Sequence, residues 1–163
     1  MLPSRVNLES VRDSIGEYAD TRESFDARAD IYKDLLGFLP PRIEARFAVT
    51  GALDPTILDL QEKLRKHGMY PKSFDVKTAQ LMLFGMLLMD SSDAAPLHAI
   101  AARRAGASWA ELQDTVNLCF LFRGMSAANR GAEVLANIAH RERVEAAQAT
   151  QAAQVDSAAD AAS

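Results

Sequence analysis

Residues 97–112 read Leu97-His98-Ala99-Ile100-Ala101-Ala102-Arg103-Arg104-Ala105-Gly106-Ala107-Ser108-Trp109-Ala110-Glu111-Leu112, and their punctuation is that of two consecutive helices. Gly106 closes the first, because glycine reaches the left-handed backbone of a helix end without a Cβ clash. Ser108 and Glu111 open the second as a capping box, each side chain serving an amide that the helix start leaves without a partner. Pro96, lacking an amide hydrogen, fits only in the first turn of the first helix. Ahead of it, Asp90-Ser91-Ser92-Asp93 supplies four side chains able to accept from free helix amides.

The same grammar extends outward. Val76 to Met89 is apolar on most faces and reads as a central core helix capped by Asp75. Its apolar run, Leu81 to Met89, is about half of the roughly 20 residues a membrane span requires. Toward the N-terminus, a short polar helix is expected over Leu8–Tyr18 and a more amphipathic one from about Ser24 to Leu36. Gly37 and Pro40-Pro41 then stop the chain. A helix over Arg42–Val49 ends near Gly51, and Asp54-Pro55 starts another that His67-Gly68 closes near Lys66. Toward the C-terminus one helix runs to about Phe122 and a last one from Ser126 through Arg143. Beyond that the Ala- and Gln-rich tail is expected to fray into disorder. No sustained period-two alternation occurs, so the fold class is all-α, a single helical domain.

The chain has 163 residues, 48% of them apolar, and a formal net charge of -4. That length accommodates one substantial core. The charge argues against a nucleic-acid partner bound through phosphate neutralisation. Met1 to Glu17 mixes charges among its apolar residues, unlike a secretory signal, which points to the cytoplasm. Cys119 is the one cysteine, so no internal disulfide or Cys-x-x-Cys redox pair is available. Leu118, Phe120 and Leu121 beside it suggest a buried, inert thiol.

The stretch 97–112 also resembles the signature of the carboxymuconolactone decarboxylase-like superfamily, which includes the AhpD-type alkylhydroperoxidases. There a histidine-bearing helix ends at Gly and a Thr/Ser-x-x-Glu capping box opens the next. Phe122-Arg123-Gly124-Met125-Ser126-Ala127-Ala128-Asn129 resembles the family's following aromatic, Gly, x, Pro, Ala, Ala, Asn segment, with Ser126 in place of Pro. Leu36-Gly37-Phe38-Leu39-Pro40 and Leu53-Asp54-Pro55 fit the approach to that domain. The resemblance implies an AhpD-like helical bundle over residues 30–142, preceded by an N-terminal helical extension (1–29) and followed by the tail (143–163). It further implies a homo-oligomer, trimeric or hexameric, with a small-molecule carboxylate or lactone as substrate.

Departures from the family shape the chemistry expected. The peroxidase branch carries cysteines seven and four residues before the histidine, where this chain has Ser91 and Ala94; thiol peroxidase chemistry lacks its attacking and resolving sulfurs. The decarboxylase branch commonly has Glu four before and Arg two after, where this chain has Ala94 and Ile100.

His98 is the candidate catalytic residue, an imidazole near a helix N-terminus that can donate a proton or stabilise an enolate. Arg123, within the apolar run Leu118 to Met125, is a candidate to grip a substrate carboxylate. Its structural alternative is an ion pair with a neighbouring helix or subunit. His67 is a candidate pocket residue or a C-terminal helix cap, and Ser91 a candidate contact where the cysteine is missing or simply a cap. His140 reads as solvated, Arg103 and Arg104 as a solvated or interface face, and Met82, Met86, Met89 and Met125 as core or pocket lining. There is no metal-ligand spacing, phosphate loop or nucleophile elbow, so no cofactor is implied. The expected function is a cofactor-independent lyase, a decarboxylase of a small lactone or enolisable acid, with a non-catalytic binding protein as the alternative.

Overall fold

A computed structural model describes residues 7–160, with side-chain environments through 155. Met1 to Val6 and residues 161–163, the two ends of the expected extension and tail, lie outside the described residues. Eight helices and no strand occur among the described residues: α1 Leu8–Ile15, α2 Arg22–Leu36, α3 Pro41–Leu53, α4 Pro55–Met69, α5 Val76–Met89, α6 Ala95–Arg104, α7 Trp109–Arg123 and α8 Met125–Asp160. The fold is all-α, and none of these helices is long and apolar enough to cross a membrane. Contacts cluster into two compact units, residues 1–79 and 80–163, the division falling within α5.

In the first unit the punctuation acts much as read. Gly37 takes the left-handed conformation with φ 83° and donates to the Lys33 carbonyl at 2.7 Å, a position where a Cβ would be strained. Pro41 opens α3 and Pro55 opens α4. Gly51 departs from expectation: α3 runs through it to Leu53. A Cβ there would collide with the Tyr18 ring, so this glycine answers a close approach and is no helix stop. Asp54 then ends α3 and caps α4, accepting from the Ile57 amide at 3.0 Å.

Tyr32, Phe47 and Leu58 are fully buried at the centre of this unit. Edge-to-face contacts link Tyr18, Phe25, Phe47 and Tyr32 in sequence, with ring centroids 5.5–5.7 Å apart, the geometry aromatic quadrupoles favour. Glu62 is buried with them, and its carboxylate accepts from the Tyr32 hydroxyl at 3.0 and 3.1 Å and pairs with Arg46. Arg46 also donates to the Tyr32 oxygen at 3.0 Å, and the Arg65 guanidinium lies 3.9 Å from the Tyr32 ring centroid. A buried carboxylate is tolerable only with this degree of pairing.

The second unit is built on small residues. Ala95, Ala99, Ala101 and Ala102 on α6 are buried, as are Phe84 and Leu88 on α5, Leu112 and Val116 on α7, and Val134 and Ile138 on α8. A Cβ on Gly131 would lie 2.5 Å from Val116 Cγ1, so α8 approaches α7 as closely as a helix can. The capping box forms: Ser108 Oγ accepts from the Glu111 amide at 3.1 Å and Glu111 accepts from the Ser108 amide at 2.7 Å. Arg103, expected on a solvated or interface face, is a brace within the second unit. It forks onto Glu142 of α8 at 2.9 Å twice, donates to the Ala107 carbonyl at 2.5 Å and sits 4.2 Å over the Trp109 ring.

Helix α8 continues to Asp160, beyond the expected end near Arg143. Its residues 145–155 are all exposed, and Ala and Gln are strong helix formers that need no packing partner to prefer this state.

Candidate functional site

His98 is the fourth residue of α6, in a helix started by Ala95 and Pro96. Its Nδ1 lies 2.8 Å from Oε1 of Gln80 on α5. A carboxamide oxygen only accepts, so Nδ1 carries the proton and donates, and in the neutral ring Nε2 holds the lone pair. Gln80 has no solvent exposure, and its Nε2 has no partner among the described residues. Burying that amide with one half unsatisfied carries a cost of about 1–3 kcal/mol. His98 itself is half-buried, so the ring bridges a buried anchor and the exterior of the helix.

Gln80 did not figure in the sequence reading. The signal was present: it is the one amide side chain within Val76 to Met89, a helix whose other polar residues, Lys77 and Thr78, stand in its first turn. A polar residue beside the apolar run either faces solvent or meets a specific partner, and only the packing of α6 on α5 tells which.

The helix N-terminus contributes less than expected. The Ala94 amide donates to Ser92 Oγ at 3.2 Å, Ala95 to the Ser92 carbonyl at 3.2 Å, and Leu97 and His98 to the Ala94 carbonyl at 3.0 and 3.4 Å. Pro96 has no amide hydrogen. The first-turn donors are spent on the chain's own tight turn, so an anion would find none free.

The other expected site residues stand at exposed positions. Arg123 is exposed in the last turn of α7, so the buried guanidinium anticipated from its apolar neighbours does not occur. Leu118, Phe120, Leu121 and Phe122 are themselves exposed. The apolar run therefore marks an uncovered face and encloses no charge. His67 is exposed in the last turn of α4, the place of a C-terminal helix cap, and it belongs to the first unit. Ser91 is exposed, with φ 56° in the turn between α5 and α6. Met82, Met86 and Met125, expected as core or pocket lining, are exposed as well.

Cys119 is buried, with Sγ 3.4 Å from the Gly85 carbonyl, and burial pushes its thiol above the ordinary range. The reason given by sequence was wrong although the outcome held: Leu118, Phe120 and Leu121 face out, and Gly85 opposite makes the room.

A separate cleft of about 440 Å3 lies wholly in the first unit. Leu8, Val11, Phe25 and Ala48 line it, with Arg12, Asp20 and Asp26 at its charged edge. Arg22 reaches Asp26 at 3.7 Å and Arg28 reaches Asp20 at 3.4 Å, so much of that edge is neutralised within the protein. The His98–Gln80 pair is chemically the sharper feature. No family model, curated protein or solved structure matches the chain.

Proposed function

We propose that the protein is a cofactor-independent lyase, a decarboxylase of a small lactone or enolisable carboxylic acid, acting through His98. The observation that carries this reading is the 2.8 Å contact between His98 Nδ1 and the fully buried Gln80. A neutral amide orients the ring and selects its tautomer, and in this reading Nε2 is the atom that exchanges the proton. As the bond to the carboxylate breaks, its electron pair moves into the conjugated carbonyl and carbon dioxide leaves. With Nδ1 still donating to Gln80, the ring first takes a proton from solvent onto Nε2; that imidazolium hydrogen-bonds the developing enolate and delivers the Nε2 proton to carbon, which returns the ring to its neutral Nδ1–H form. The resemblance of residues 97–112 supports the reaction class, and the free thiol of Cys119 is compatible with a cytoplasmic setting.

A second reading, a small-molecule-binding member without turnover, is favoured by Ala94 and Ile100 at the positions where the decarboxylase branch has Glu and Arg. The exposure of Arg123 points the same way, since an exposed guanidinium holds a substrate carboxylate less firmly than a buried one.

Carbon dioxide release from a panel of lactones and unsaturated acids, measured for wild type and His98→Ala side by side, separates the two. Release that falls at least about 100-fold in the variant, with helical content unchanged, supports the lyase. No release from any acid, or release indifferent to the substitution, moves the reading to binding.

A further inference from the structure

Met82 and Met86 on α5 and Leu118, Leu121 and Phe122 on α7 are, in that order, 42%, 58%, 64%, 69% and 78% exposed, and all five lie in the second unit. Each row belongs to one unbroken helix. Met86 follows Met82 by four residues, and Leu121 and Phe122 follow Leu118 by three and four, the separations that share a helix face.

The two rows are neighbours. Helices α5 and α7 touch where the Cys119 thiol donates to the Gly85 carbonyl at 3.4 Å, and a Cβ on Gly85 would stand 3.1 Å from Thr115 Cγ2. By helical spacing, the buried Phe84 and Leu88 lie to one side of Gly85 around α5, and Met82 and Met86 to the other. Around α7 the buried Leu112 and Val116 lie to one side of the Thr115–Cys119 line, and Leu118, Leu121 and Phe122 to the other. Both buried sides face the core of the second unit, so the two exposed rows flank the outer side of the same contact and form one apolar surface.

We propose that this surface joins two copies of the chain across a two-fold axis that runs along the seam between the rows, so that Met82 and Met86 of each copy cover Leu118, Leu121 and Phe122 of the other. Area decides for a partner of this size. The five exposures amount to roughly 650 Å2, above the roughly 300–600 Å2 of the largest apolar patch on a typical monomer and most of the roughly 800 Å2 that each partner buries in a standard interface. No charge interrupts either row, and Met, Leu and Phe are residues of an interface core. The two-fold operation sets pliable thioethers over the Phe122 ring in both copies, a favourable contact made twice by one self-complementary surface.

The chain itself offers no alternative cover, since outside residues 7–160 its large apolar side chains are Met1, Leu2 and Val6 alone. A membrane surface is a poorer match: it favours Lys and Arg around an apolar face, and the charges that flank these rows along the chain are Asp90, Asp114 and Arg123. This inference is independent of the chemistry at His98.

Sedimentation equilibrium of the full chain from about 1 to 200 μM tests it, with wild type, Met86→Glu, Phe122→Glu and Leu64→Glu compared and far-UV circular dichroism checked for each. Leu64, on α4, is 73% exposed and controls for the mere addition of charge at an exposed apolar position. The wild type is expected at an even multiple of the chain mass at the upper concentrations, Met86→Glu and Phe122→Glu each at half the wild-type mass, and Leu64→Glu at the wild-type mass. A wild type that stays monomeric or forms an odd multiple overturns the proposal. So does a Met86→Glu or Phe122→Glu particle as heavy as the wild type, or a Leu64→Glu particle that is also halved. Should either glutamate variant not fold, Met86→Ala and Phe122→Ala decide: each is expected to raise the dissociation constant at least about 5-fold, and a smaller rise overturns the pairing.

Discussion

Gln80 and His98 are 18 residues apart and meet side chain to side chain, and the consequence is a defined tautomer. Replacing Gln80 by Leu removes the acceptor while keeping most of the volume. The expected outcome is a fold that melts within a few degrees of wild type, because the unsatisfied amide half is lost together with the hydrogen bond. The tautomer should change measurably: ring 15N shifts of His98 in wild type should report a protonated Nδ1 and an unprotonated Nε2, and in Gln80→Leu a mixture. Under the lyase reading, kcat falls about 10-fold or more with KM little altered, since the orientation of the ring matters chiefly when the proton moves. A wild-type ring protonated at Nε2 would contradict the hydrogen-bond direction on which this rests. At this scale His98 is singled out by the resemblance of residues 97–112. Its partner is not, because nothing local links position 80 to position 98.

The α7–α8 contact shows how elements are fixed by what they omit. Gly131 lies in the middle of a helix, where glycine costs up to about 1 kcal/mol relative to alanine, so by propensity Gly131→Ala should stabilise α8. The structure reverses the sign: the added Cβ would meet Val116 Cγ1 and Cγ2 at 2.5 and 2.6 Å, and Val116 is buried and cannot swing away. Gly131→Ala is expected to lower stability by about 1–3 kcal/mol, and Val116→Ala in the same chain to recover part of that loss. Urea denaturation of the two single variants and the double variant measures the coupling. Additive effects would mean that the two side chains do not meet. Helix boundaries were read to within a few residues where a cap or proline marks them, as at Pro41, Pro55, Asp75 and Ser108. Asp75 does cap α5, accepting from the Thr78 amide at 2.7 Å. Gly51 and the end of α8 were misread for opposite reasons, a glycine used for proximity and an alanine-rich segment that stays helical unaided.

For the whole molecule, alkaline stability follows from two buried acids. Burial pushes the Cys119 thiol above its ordinary value of 9.0, and burial, with the neighbouring Glu62 carboxylate, pushes the Tyr32 hydroxyl above 10.0. Each group ionises first in the unfolded chain. Their contribution is therefore complete below about pH 9 and declines as pH rises, first as the unfolded thiol and then as the unfolded phenol loses its proton. Denaturation midpoints at about pH 8, 9.5 and 10.5 should fall in that order, and Cys119→Ala, after subtraction of its constant cavity cost, should flatten the first interval. A first interval of unchanged steepness in Cys119→Ala would show that other groups set the alkaline limb.

By itself the sequence determined the class of the fold, its helices and most of their ends, because capping, proline and glycine act within a few residues of where they stand. It also singled out His98 as the imidazole to weigh. Tertiary structure alone decided which faces are covered. It buried Gln80, Glu62 and Tyr32, and exposed Arg123, the α5 methionines Met82 and Met86, and Ile57, Leu60 and Leu64 of α4. Burial depends on segments distant in the chain, and a periodic pattern records that a face is apolar without recording what, if anything, lies against it.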